Sequence, residues 1–159
     1  MTRTGFIAVL GRPNVGKSTL VNAMVGEKIT IVSSKPQTTR NRITGILSRG
    51  EDQFVFIDTP GMHAPRTKLG KYMVGAVDHT IGQTDGAIVV VEPEPRVGDI
   101  ERDILRRLSA SGTPIILVIN KTDRSNAVRI AETIAAYSEE FELDAVVPTS
   151  AVRGKGVDE

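Results

Sequence analysis

Gly11-Arg12-Pro13-Asn14-Val15-Gly16-Lys17-Ser18 is the stretch on which the fold turns. It carries the spacing G-x-x-x-x-G-K-[ST] and stands where that spacing has a physical use. Before it, Phe6 to Leu10 is an apolar run of strand length. After it, Ser18 to Val25 puts Leu20, Val21, Met24 and Val25 on one helical face, with Gly26 as the stop. A glycine loop between a buried strand and a helix lets backbone N–H groups turn inward around a phosphate, at the helix end whose dipole favours anions. The N–H groups so placed belong to Asn14, Val15, Gly16, Lys17, Ser18 and Thr19. Lys17 would bridge β- and γ-phosphate oxygens, and the Ser18 hydroxyl would ligate Mg²⁺.

Working outward, apolar runs of strand length alternate with helical patterns, which predicts βαβ units and a mainly parallel sheet. Arg42 to Ser48 and Gln53 to Ile57 read as a hairpin through Gly50. Ala87 to Val91, Ile115 to Ile119 and Ala145 to Val147 read as further strands. Helices are predicted at Leu69 to Ile81, Ile100 to Leu108 and Ala127 to Tyr137, and irregular segments at 27–42 and 60–67. The fold class is α/β: a P-loop three-layer sandwich with a six-stranded, mainly parallel sheet containing one antiparallel strand. Such a sandwich ends in a closing helix, but the sequence stops at Val157-Asp158-Glu159. The expectation is a single domain over 1–159 with its final helix truncated. The sheet face near Val146 and Ile7 would then be partly uncovered, with lower stability and a tendency to self-associate as the cost to a monomer.

Composition sets wider bounds. The 159 residues are 40% hydrophobic and 25% charged, ordinary values for a globular domain. Twenty Lys and Arg stand against 19 Asp and Glu, a formal net charge of +1, which argues against a surface that is wholly a nucleic-acid footprint. Arg40, Arg42 and Lys35, and the set Arg102, Arg106 and Arg107, are local basic clusters that read first as solvated faces. With no cysteine, disulfide frameworks and thiolate metal sites are excluded. The apolar runs are too short to span a bilayer and the N-terminus lacks a secretory pattern, so the expected location is cytoplasmic.

The phosphate loop does not choose a base; Asn120-Lys121-Thr122-Asp123 does, at the C-terminal end of a buried strand. The Asp123 carboxylate can accept from N1–H and the 2-amino group of guanine. Adenine lacks that amino group and presents an acceptor at N1, leaving the carboxylate unpaired. Lys121 would lie along the ring face, and Asn120 would tie the base to the phosphate-loop side. Asp58-Thr59-Pro60-Gly61 follows a strand end, so Asp58 suits an outer-shell Mg²⁺ role and the Gly61 N–H a γ-phosphate contact. Thr149-Ser150-Ala151 suits a loop whose Ala151 N–H meets guanine O6.

These motifs, in this order, are those of the translation-factor-type GTPases. More narrowly, Lys35-Pro36-Gln37-Thr38-Thr39-Arg40 and Asp58-Thr59-Pro60-Gly61-Met62-His63-Ala64-Pro65 resemble the Era family, bacterial GTPases of small-ribosomal-subunit assembly. The resemblance runs over essentially the whole chain. It implies GTP or GDP as ligand, slow GTP hydrolysis as a switch, and the small subunit with its 16S rRNA as partner. It also implies peripheral contact with the inner membrane face, and a C-terminal KH domain for rRNA that this chain does not contain. By the same resemblance Thr39, with Thr38 as the competing candidate, closes over Mg²⁺ and the γ-phosphate, and Asn14 helps hold a K⁺ ion.

Ras-type enzymes place a water-orienting Gln directly after Gly61; here Met62 stands there, as in Era-like GTPases. Hydrolysis is therefore expected to rest on Mg²⁺, Lys17 and K⁺, with Lys17, Thr39 and Gly61 as the catalytic set. Two other readings share the glycine loop. One is a nucleotide-sensing module with negligible turnover; the other is an ATP-dependent small-molecule kinase, which has no use for Asn120 to Asp123.

Overall fold

The computed structural model describes residues 3–12, 15–25, 42–58 and 84–157. The first strand, β1 (Arg3–Gly11), runs into the glycine loop and then α1 (Lys17–Val25). The hairpin β2 (Arg42–Arg49) and β3 (Asp52–Asp58) follows, then β4 (Gly86–Val91), α2 (Asp99–Ser111) and β5 (Ile115–Ile119). Helix α3 (Ala127–Glu140) and β6 (Ala145–Pro148) complete the order. The sheet runs β2-β3-β1-β4-β5-β6, antiparallel only between β2 and β3. The predicted helix Leu69 to Ile81 and the irregular segments at 27–41 and 60–67 lie outside the described residues.

Strand alternation builds two cores. Ala8, Leu10, Val89, Val91, Leu117 and Ile119 face Ile104, Leu105 and Leu108 of α2 and Tyr137 of α3. Val9, Phe56, Ile88, Val90 and Val118 face the other way, onto Leu20 and Val21 of α1. This is the expected three-layer arrangement.

The helices run beyond the apolar residues that revealed them. Helix α2 starts one residue before Ile100 and continues to Ser111, where Gly112 in the left-handed region (φ 71°) returns its N–H to the Leu108 and Ser109 carbonyls. Helix α3 is capped by Asn126, whose side chain accepts from the Arg129 N–H at 2.9 Å. It continues past Tyr137 to Glu140, whose carboxylate takes two 2.8 Å hydrogen bonds from Arg102 of α2.

The open sheet face corrects one expectation. Ile7 does lie on it, but Val146 packs into the opposite core, and Val147, one residue on, lines the open side. The period of two decides this, since adjacent strand residues point to opposite faces. A groove of about 410 Å³ runs there past Ile7, Met24, Phe54, Ile116 and Val147 to Val157, and Ile116 is 38% exposed.

Candidate nucleotide site

The sheet reverses direction of winding at β1, which lies between β3 and β4, so the C-terminal ends of these strands open onto one crevice. At the end of β1 the loop turns through Gly16 (φ 96°). A side chain there would be strained and would collide with the Asn120 amide, so glycine is required on both counts. Lys17 opens α1 with its side chain buried, and its ammonium donates to the Gly11 carbonyl at 2.8 Å. Its charge is thus held across the mouth of the loop.

Asn120, following β5, is 2% exposed. Its Nδ2 donates to the Val15 carbonyl at 2.9 Å, while its Oδ1 accepts from the Ala151 N–H at 3.0 Å and the Thr149 hydroxyl at 3.1 Å. Only one amide orientation satisfies that set, since the Ala151 N–H needs an acceptor. One side chain thus binds the glycine loop, the Asn-Lys-Thr-Asp loop and the Thr149-Ser150-Ala151 loop into one floor.

Lys121 next to it is held in the left-handed region (φ 60°), and its ammonium lies 3.5 Å from Glu92 at the end of β4. Thr122 donates to the Thr149 carbonyl from both its N–H, at 3.1 Å, and its hydroxyl, at 2.8 Å. Asp123 receives the Ser150 hydroxyl on Oδ1 at 2.8 Å, with Arg153 4.0 Å from Oδ2. The Ser150 hydrogen bond is the main reason that its carboxyl lies below the ordinary aspartate value; partial burial opposes this, and Arg153 and Arg124 add to it. Asp123 is therefore an ionised acceptor at neutral pH.

Asp58 ends β3 in register with Val9 of β1, two residues before the glycine loop begins, and Ser18 is the second residue of α1. Asn14, Thr38, Thr39, Gly61, Met62 and His63 lie outside the described residues. Of the basic helix, Arg102 is engaged by Glu140 and Arg107 by Asp103.

Three partners were missed in the sequence. Glu92 carries no motif, only its place directly after a buried strand at the sheet's C-terminal edge. Ser150 was read as a nucleotide contact, and its grip on Asp123 needs the loop's tertiary position. Arg12, one of the unspecified loop residues, reaches away to Glu101 of α2, with Nε 2.8 Å from Oε2.

Phosphate cradle, buried ammonium and ionised base acceptor on one parallel-sheet edge define a guanine-nucleotide P-loop domain. The family model described as 50S ribosome-binding GTPase matches residues 6–121, and the chain belongs to that family. It is similar to GTPase Era of Clostridium acetobutylicum, at 49% identity over 99% of this chain and 53% of that protein. GTPase Era of Thermoanaerobacter sp. (strain X514) is 46% identical over 98% of this chain and 52% of its own length. Among solved structures, Era in complex with MgGDPNP and nucleotides 1506–1542 of 16S ribosomal RNA superposes with a TM-score of 0.78 at 32% identity, covering 99% of this chain and 54% of that one. An Aquifex aeolicus Era variant bound to GDP·AlF4⁻ gives 0.77 at 32% identity, with the same coverage. The chain spans about half the length of these relatives.

Proposed function

We propose that this chain binds Mg²⁺-GTP and GDP and hydrolyses GTP slowly, as a cytoplasmic switch that times small-ribosomal-subunit assembly. The observation that carries it is the Asn120 floor, which sets the phosphate loop and the Asp123 carboxylate in one rigid unit. The similarity to Era, crystallised with MgGDPNP and 16S ribosomal RNA, supports the ribosomal part.

In this reading, Lys17 exchanges the Gly11 carbonyl for β- and γ-phosphate oxygens, and N–H groups from Asn14 to Thr19 cradle the β-phosphate. Asp123 accepts from N1–H and the 2-amino group, oriented by Ser150. Lys121 lies along the base with its ammonium drawn toward Glu92. The Ala151 N–H serves guanine O6 if it is shared with, or released from, Asn120 Oδ1. Ser18 and Asp58, with Thr39 or Thr38, would hold Mg²⁺, which when bound neutralises charge on the phosphate oxygens. Gly61 is the γ-phosphate contact. Met62 has no group to orient a water, so turnover is slow and Asn14 is assigned to a stimulating K⁺ ion.

Single-turnover hydrolysis in KCl and in NaCl tests this directly. Cleavage of GTP, faster in KCl, is expected. Equal rates in the two salts would remove the K⁺ role. Tight binding without cleavage in either would leave a nucleotide sensor.

A further inference from the structure

Arg12 is the second residue of the glycine loop, directly after the Gly11 carbonyl that holds Lys17, yet its side chain points away from the phosphate cradle. It meets Glu101 in the first turn of α2, Nε to Oε2 at 2.8 Å. The pair is asymmetric: the Arg12 side chain is 46% exposed and that of Glu101 only 7%. The Glu101 carboxylate is buried. Gly98, at the N-cap of α2, lies so close that any side chain there would strike Glu101 Oε1 and come to 3.0 Å from Arg12 Nη2. Tyr137 of α3 faces the same cluster. Burial, chiefly, and the charge of Glu101 push its hydroxyl far above the usual tyrosine range, so it stays neutral.

As a device for stability this arrangement is poor. Glu101 Oε1 is buried with no hydrogen-bond partner among the described residues, which costs energy. Burying a carboxylate to meet one half-exposed arginine returns little net stability, because desolvation offsets the attraction. What such a pair does supply is geometry: a short charge-assisted contact from a rigid helix to one residue of a loop.

Resting on the nucleotide reading above, we propose that Glu101 is a positioning residue for the phosphate loop: it fixes Arg12 to α2, holds the loop's entrance in its binding shape, and so slows nucleotide release. Arg12 is thereby kept off the phosphates and Lys17 is the ammonium that meets them. Glu101 touches neither nucleotide nor metal and acts only through Arg12.

The test is the dissociation rate of fluorescently labelled GDP, with Mg²⁺, from the full chain and from the Glu101→Gln, Arg12→Gln and doubly substituted chains. Each single change should speed release by roughly fivefold, the scale of one weakened charge-assisted hydrogen bond. The double variant should match the singles, since both cut one link. Arg102→Gln is the control: it breaks the α2–α3 bridge to Glu140 on the same helix, and should lower thermal stability while leaving release unchanged. Unchanged release in Glu101→Gln overturns the proposal. So does slower release, which would mean that a freed Arg12 binds phosphate, or equal acceleration by Arg102→Gln, which would mean that α2 acts only through its stability. A parent chain that retains no labelled GDP contradicts the nucleotide reading itself and removes this proposal with it.

Discussion

In the proposed function Asp123 is the one carboxylate that chooses the base, and its neighbour Ser150 would set the pH range over which that choice works. Because the Ser150 hydroxyl lowers the folded-state value, the contribution of the ionised group is complete above about pH 4, the ordinary aspartate range. It is lost as the pH falls through the lowered value. Ser150→Ala removes the principal cause, so GDP affinity should begin to fail at a higher pH than in the parent. Equilibrium titrations from neutral pH down to about pH 3, through the ordinary aspartate range, check this; superposed profiles would contradict it. The residues of this site were legible in the sequence wherever chemistry demands a fixed type at fixed spacing, as for Lys17, Asn120 and Asp123. Glu92, Glu101 and the Ser150–Asp123 bond were not, because each depends on which side chains two separate segments bring within 4 Å, and no local pattern encodes that.

At the scale of elements, the strands were readable because β4 and β5 are continuously apolar, β4 buried throughout and β5 everywhere but at Ile116, as central parallel strands are. Helix ends were less so, since polar last turns such as 138–140 are held by partners on another helix. The three loops are joined through Asn120, and this predicts an unusually large effect for one polar residue. Asn120→Ala would orphan the Val15 carbonyl, the Ala151 N–H and the Thr149 hydroxyl together. At roughly 1–3 kcal/mol for an unsatisfied buried group, with partial relaxation, the loss of folding stability should be about 2–4 kcal/mol. Urea unfolding measures it, and a loss below about 0.5 kcal/mol, the usual range of a surface change, would show that the floor is not cooperative.

The whole molecule is a sandwich with one face incompletely covered among its described residues. The groove from Ile7 to Val157 exposes apolar surface of the kind that binds hydrophobic dyes and favours association. Ile116→Lys should reduce dye fluorescence and concentration-dependent self-association while altering stability by less than about 0.5 kcal/mol, because that side chain is already partly exposed. Sizing at several concentrations would settle it; parent and variant behaving alike would mean that the groove is inert. The side of the sheet on which that groove lies was readable only to within one residue, since Val146 and Val147 are equally apolar and only their register assigns faces. The proposed function requires this sheet edge to select guanine through Asp123 and to grip phosphates through the glycine loop. Competition of GTP, GDP, ATP and ADP against labelled GDP, with Mg²⁺, measures it most directly. Displacement by GTP and GDP, with the adenine nucleotides weaker by roughly a hundredfold or more, is the predicted result. Equal displacement by ATP and GTP would contradict the account.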